Sequence, residues 1–280
     1  MKNKHRAGRA VSIILLILLA FVAVFPLVWT FSSSFRSDTE IYQYAFPFQW
    51  HTFVPVEFTL DAYKEIFTQF QFWRPILNTL IVSGAIMFLG CLLNSLAAYG
   101  FAFFQFKGKK LFYGLVLLSF MIPFESIAIP LYKVVDQFHW VDTYKGLIIP
   151  TVIDGFVLFL FVQFFKNISA GFLEAARIDG ASWMQIYARI ILPLSKPVLV
   201  TAALMAFINQ WNSFLWPLLV AHRKEIRLIQ VALSDFTAEH VTLWSCLYAA
   251  SVVSALIPLV LFLPFQKYYV QGITSGGIKG

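Results

Sequence analysis

The chain has 280 residues, of which 59% are hydrophobic, 18% aromatic and only 12% charged, with a formal charge of +7 and a mean hydropathy of +0.74. A soluble domain carries about 25% charged residues, so the composition excludes a soluble globular protein and defines an integral membrane protein. Cys91 and Cys246 both fall in apolar runs, and they define no disulfide framework.

The chain opens with MKNKHRAGRA and an apolar run from Val11 to Thr30. That run is too long for the core of a signal peptide and no small-residue cleavage site closes it, so it reads as a retained first span. Crossing a bilayer as a helix takes about 20 apolar residues. Six stretches meet that length: Val11 to Phe31, Ile76 to Phe104, Leu111 to Tyr132, Leu147 to Phe165, Val198 to Ala221 and Cys246 to Phe265. The expected fold is all-α, with six transmembrane helices and a cytoplasmic loop between helices 4 and 5.

The basic residues set the orientation. With a cytoplasmic N-terminus, thirteen of the 21 Lys and Arg fall on inside segments against two acids, Glu174 and Asp179. Both termini are then cytoplasmic. The expected organisation is a tail over 1–10, a permease domain over 11–268 and a second tail over 269–280. Within the domain lie an extracytoplasmic loop over 32–75 and a cytoplasmic loop over 166–197. The outer loop is rich in Phe, Tyr, Trp and Pro with an acidic excess, which suits an ordered flap. It binds a partner or packs over the bundle, and the sequence leaves both open. Trp29, Trp73, Trp140, Trp216 and Trp244 lie near span ends, as an interfacial belt would place them.

Two acids fall inside spans, where each costs about 2.5–3.5 kcal/mol on insertion scales. Glu125 and Asp154 each lie seven residues in from an outer span end, about 10 Å down at ~1.5 Å per residue. Asn209 and Asn212 sit one helical turn apart on the fifth span at a similar level, with Trp211 between them. One reading makes Glu125, Asp154, Asn209, Trp211 and Asn212 the lining of a substrate pathway, with polar groups for hydroxyls and an aromatic face for an apolar patch. The other has the acids bonded to backbone freed by Pro123, Pro130 and Pro150. Asn78 and Asn94, with Gly84, Gly90 and Ala98, suit close helix packing and interhelical bonding.

The most informative stretch is Glu174 to Pro193, EAARIDGASWMQIYARIILP, a polar interruption between apolar segments. Glu174 to Asp179 are good helix formers, Gly180 permits a sharp turn, and Ala181 to Ile191 can form a second helix that Pro193 ends. The product is a rigid bent helix pair. Small Ala175, Ala176 and Ala181 admit a close partner surface, while Glu174, Arg177 and Asp179 offer charge to it. The chain has no Walker-type phosphate loop, no H-E-x-x-H, no metal-spaced Cys and His cluster and no serine elbow. No catalytic or metal-binding residue is therefore assigned, and ATP, if it drives the protein, binds elsewhere.

Glu174-Ala175-Ala176, Gly180, Ile190 and Leu192-Pro193 closely resemble the EAA loop of bacterial ABC-importer permeases. Further similarity lies in Asn78-Thr79, Leu96-Ala97-Ala98-Tyr99-Gly100-Phe101-Ala102, Met121-Ile122-Pro123, Ile129-Pro130-Leu131-Tyr132 and Leu192-Pro193-Leu194-Ser195-Lys196-Pro197. Trp211-Asn212-Ser213-Phe214-Leu215-Trp216-Pro217 and the tail from Gly272 to Gly280 resemble the carbohydrate-uptake branch, of the maltose-transporter type. The resemblance implies an inner-membrane permease that moves a sugar, an oligosaccharide in particular, by ATP-driven alternating access. It implies a second homologous permease, two ATP-binding-cassette subunits that hold ATP and Mg and dock on the EAA loop, and an extracytoplasmic sugar-binding protein. No nucleic acid is involved, and no cofactor belongs to this chain. The competing readings are a secondary transporter or channel driven by an ion gradient through Glu125 and Asp154, and an intramembrane enzyme, for which no acid pair or nucleophile has suitable spacing.

Overall fold

Backbone amides in hydrocarbon must find partners within their own segment, so long apolar runs fold as helices. The computed structural model describes residues 2–237 and 242–266, with side chains from residue 12 onward. The C-terminal tail, including Lys267, Lys279 and the stretch from Gly272 to Gly280, lies outside them. The described residues are helical, with an isolated antiparallel bridge between Thr237 and Thr242.

Among the described residues, three helices are long and apolar enough to cross a membrane unbroken: Ser12–Ser33, Trp73–Phe103 and Trp244–Phe262. The other three predicted spans are not single rods. Lys109–Phe120 and Phe124–Gln137 meet at 101°, and Tyr144–Thr151 and Gly155–Lys166 at 44°. Lys196–Trp211 has only 16 residues and turns by 82° from Trp183–Leu194, and a short helix, Leu215–Val220, follows it. Counting each bent pair as one crossing brings the total to six.

The breaks have local causes. Pro123, with no N–H to donate, sits at the N-cap of Phe124–Gln137 with φ −57° and ψ 133°. Ile149–Thr151 tightens into a 3₁₀ turn around Pro150, and the helix restarts behind the Asp154 cap. Pro130 stays inside its helix.

The chain divides into two compact units, Met1–Trp73 with Ala232–Leu256, and Arg74–Val231 with Ile257–Gly280. In the first, Asp38 Oδ1 accepts from the Ser245 amide at 2.9 Å, and Phe236 packs against Phe70 and Phe72. The 32–75 loop carries two short helices, Asp38–Gln43 and Asp61–Thr68.

In the second unit a buried cluster joins Ala98 and Tyr99 to Val157, Phe161 and Phe165 and to Leu173, Ile186 and Ile191. A further cluster centres on Val82, Leu147 and Trp216. Trp216 is therefore a core residue rather than part of an interfacial belt: it is 1% exposed and donates its indole N–H to the Gly146 carbonyl at 3.1 Å. Asn78 donates to the carbonyls of Glu225 and Arg227 and accepts from the Tyr144 hydroxyl at 2.6 Å, so its amide ties three segments together.

Candidate functional site

The loop after Gly155–Lys166 forms two helical pieces. Ser169 caps the first, Ala170–Ile178, by accepting from the Gly171 amide. Apolar Leu173 and Ala176, one turn apart, face the core, leaving Glu174, Ala175, Arg177 and Ile178 exposed. Asp179 is the C-cap, and Gly180 follows with φ +80°, a left-handed conformation that glycine adopts without a Cβ penalty. Ser182 and Gln185 form a reciprocal capping box at the start of the next helix.

Arg177 joins the two pieces across the bend. Its guanidinium lies 4.8 Å from the Trp183 ring centroid and donates to the Ala181 carbonyl at 2.8 Å. The amide of Ala181 also returns to the Ala176 carbonyl at 2.9 Å. These ties cross the turn from both sides, so the bend is held as a unit.

The second piece continues through a π-helical turn, Tyr187–Ile191, and on to Leu194. Pro193 was expected to stop this helix; it sits inside the last turn instead, and the direction changes at Ser195, whose hydroxyl donates to the Ile191 carbonyl at 2.6 Å. A wide turn of this kind commonly marks a functional site.

The bent pair rests on the end of Trp73–Phe103. The Tyr99 hydroxyl donates to the Trp183 carbonyl at 3.2 Å, the Tyr99 and Tyr187 rings lie 5.4 Å apart, and the hydroxyls of Ser95 and Tyr187 are hydrogen-bonded at 2.7 Å. Phe104 packs on Trp183 at 4.8 Å. The sequence reading did not single out these contacts. Tyr99 entered only as part of a family-like string, and nothing local indicates that a residue in the second span meets one 84 positions later.

Ile178 is 86% exposed and Met184 63%, the most exposed large apolar side chains of the loop among the described residues. This apolar pair was also missed, because side-chain direction on a bent helix depends on which face the core takes. Of the three alanines, Ala176 faces the internal core, Ala181 is half-buried and Ala175 points outward.

The two intramembrane acids both lie at helix breaks. Asp154 is the N-cap of Gly155–Lys166, and its Oδ1 accepts from the Phe156 and Val157 amides at 2.8 and 3.0 Å. Glu125 occupies the first turn of Phe124–Gln137, with an exposed side chain. The breaks pack together: a Cβ on Gly155 would come within 2.8 Å of the Phe120 Cβ. The second span supports them through Asn94, which donates to the Val152 carbonyl at 3.4 Å, and through Gly90, whose added Cβ would meet that same oxygen at 2.9 Å.

Asn209 and Asn212 are exposed at the end of Lys196–Trp211, where Asn212 donates back to the Ile208 carbonyl at 3.0 Å. Trp211 is 1% exposed, and its carbonyl accepts from Gln230 at 3.2 Å. No group of three or more potential metal ligands occurs among the described residues.

Broken apolar helices and a braced helix pair set between apolar segments suit a membrane transport component. The chain belongs to the family of binding-protein-dependent transport system inner membrane components, whose pattern matches residues 90–274. It is 34% identical over 263 residues to the arabinooligosaccharides transport system permease protein AraQ of Halalkalibacterium halodurans, covering 94% of this chain and 93% of that one. It is 33% identical to the trehalose/maltose transport system permease protein MalG of Thermococcus litoralis, covering 97% of each. Its fold is also that of a chain in the crystal structure of a bacterial ABC transporter involved in the import of the acidic polysaccharide alginate. That match has a TM-score of 0.83 at 24% identity and covers 94% and 96% of the two chains. The family is one of transport components, not catalytic enzymes.

Proposed function

We propose that this chain is the translocating permease of an importer that carries an oligosaccharide across the cytoplasmic membrane, with six spans and both termini inside. The observation that carries the reading is the bent helix pair Ala170–Leu194, cross-braced by Arg177 and seated on Tyr99. A braced element of this kind transmits displacement to the spans instead of absorbing it. The engine is a pair of ATP-binding-cassette subunits that supply the ATP and Mg sites and grip the loop around Gly180. A second homologous permease completes the pathway, and an extracytoplasmic binding protein delivers the sugar. The names of the relatives support the substrate class, and the basic excess of the segments assigned to the inside supports the orientation.

Exposed Ile178 and Met184 are the contacts proposed for the ATPase subunit. In the co-expressed complex, Ile178→Asp should abolish co-purification of the ATPase while leaving this chain inserted and folded. Retention of the ATPase and of uptake in that variant would overturn the docking assignment. With the chain expressed without the ATPase, Met184→Cys should react with a membrane-impermeant maleimide only after the cytoplasmic face is opened; labelling from outside would overturn the orientation.

A further inference from the structure

From Ile41 to Val56 the chain reads IYQYAFPFQWHTFVPV, sixteen residues without an Asp, Glu, Lys or Arg. The structure folds this stretch back along the helix that precedes it. Phe53 lies 5.7 Å from the Phe25 ring and 6.0 Å from the Trp29 ring, and Ser32 donates to the Phe53 carbonyl at 2.6 Å. Phe25 lies eight residues before the last residue of the Ser12–Ser33 span, or about 12 Å along the axis at ~1.5 Å per residue. The fold-back therefore reaches the depth of the span's own outer turns.

Its backbone is prepared for that setting. Arg36, 2% exposed, bonds Glu40 and donates to the Thr52 and His51 carbonyls at 2.9 and 2.8 Å. Glu40 in turn accepts from the Val56 amide at 2.9 Å, and Thr52 donates its hydroxyl to the Tyr44 carbonyl at 2.8 Å. Groups that would otherwise need water are satisfied internally, as a membrane boundary demands. Meanwhile Phe46, Phe48 and Trp50 project outward, at 81%, 68% and 74% exposure.

We infer that the 41–56 fold-back is an outer-leaflet foot, whose Phe46, Phe48 and Trp50 rest in the lipid interface and fix the height of the first span. Continuity with the span, a tip without charge and aromatic side chains at interfacial depth all point to lipid. The polar side chains exposed beside them, Gln43, Gln49 and His51, include no Asp, Glu, Lys or Arg, which suits a headgroup boundary.

The test uses the full chain in its reconstituted transport complex, in phosphatidylcholine and phosphatidylglycerol liposomes. A nitroxide is placed at Phe48→Cys, with Phe21→Cys as the lipid reference and Glu57→Cys as the water reference. Relaxation by oxygen relative to a water-soluble nickel chelate should be several-fold higher at 48 than at 57, and below that at 21, which lies deeper in the span. A ratio like that at 57 puts the foot in water, and shielding from both reagents puts it under another protein; either result overturns the proposal. Should the labelled variant fail to assemble, quenching of wild-type fluorescence by brominated lipid, less that of Trp50→Phe, reads the same point. No Trp50 component in that difference would overturn it equally.

Discussion

At Asp154 an acid in a membrane span has a structural occupation. Its Oδ1 receives two amides that no preceding helical turn can serve, because the 3₁₀ turn around Pro150 ends the helix before it. Losing such a cap costs about 1 kcal/mol, whereas asparagine keeps an acceptor. Asp154→Ala should therefore lower the midpoint of thermal unfolding in detergent, and Asp154→Asn should leave it nearly unchanged. If Asp154→Asn also leaves apparent affinity and rate of uptake at wild-type values, the residue serves the fold and not the substrate pathway.

Glu40 makes a further residue-scale prediction. Burial by itself would push its carboxyl up, but bonds from the Val56 amide, Arg36 and the Glu57 amide, with the Arg36 charge, outweigh it and hold the group below its ordinary value near 4.5. A carboxylate depressed in the folded state adds stability that is present above that ordinary value and lost as pH falls through the depressed one. The stability advantage of wild type over Glu40→Gln should be fully present above about pH 4.5 and shrink as pH falls below it, through the depressed value. Arg36→Ala, which strands the buried carboxylate, should cost about 3–5 kcal/mol near neutrality.

Among the elements, the bend at Gly180 and the paired breaks differ in what constrains them. Nothing lies within 4 Å of a Cβ placed on Gly180, so only its φ of +80° resists substitution. Gly180→Ala should cost about 1–2 kcal/mol in the loop and reduce coupling of ATP hydrolysis to uptake, with the spans intact. Gly155 has an ordinary φ but no room, since Phe120 stands against it. Gly155→Ala should destabilise by about 1–3 kcal/mol through overpacking, and in Gly155→Ala/Phe120→Gly, which removes the Cβ that stands at 2.8 Å, the loss should be smaller than the sum of the two single losses. Unfolding midpoints of the single and double variants check this.

For the whole molecule the decisive question is the source of energy. Uptake into liposomes should require the ATPase subunits and ATP inside and should persist when an uncoupler collapses the proton gradient. Uptake without ATPase, abolished by the uncoupler, would instead select the ion-gradient reading built on Glu125 and Asp154.

Much of this architecture was legible in order along the chain. Hydropathy located the three unbroken apolar helices, Ser12–Ser33, Trp73–Phe103 and Trp244–Phe262, and the EAARIDGAS string with its glycine predicted two short helices joined at a turn where they are found. Those features are local, because helix propensity, apolar run length and glycine's positive φ act over a few residues. The breaks at 121–123 and 152–154, the burial of Trp211 and Trp216, the seat of Trp183 on Tyr99 and the fold-back of 41–56 onto Phe25 were decided only in three dimensions. Each depends on which distant surface covers a side chain or claims a freed carbonyl, and the membrane favours apolar residues everywhere, so hydrophobicity alone cannot tell a lipid-facing position from a buried one.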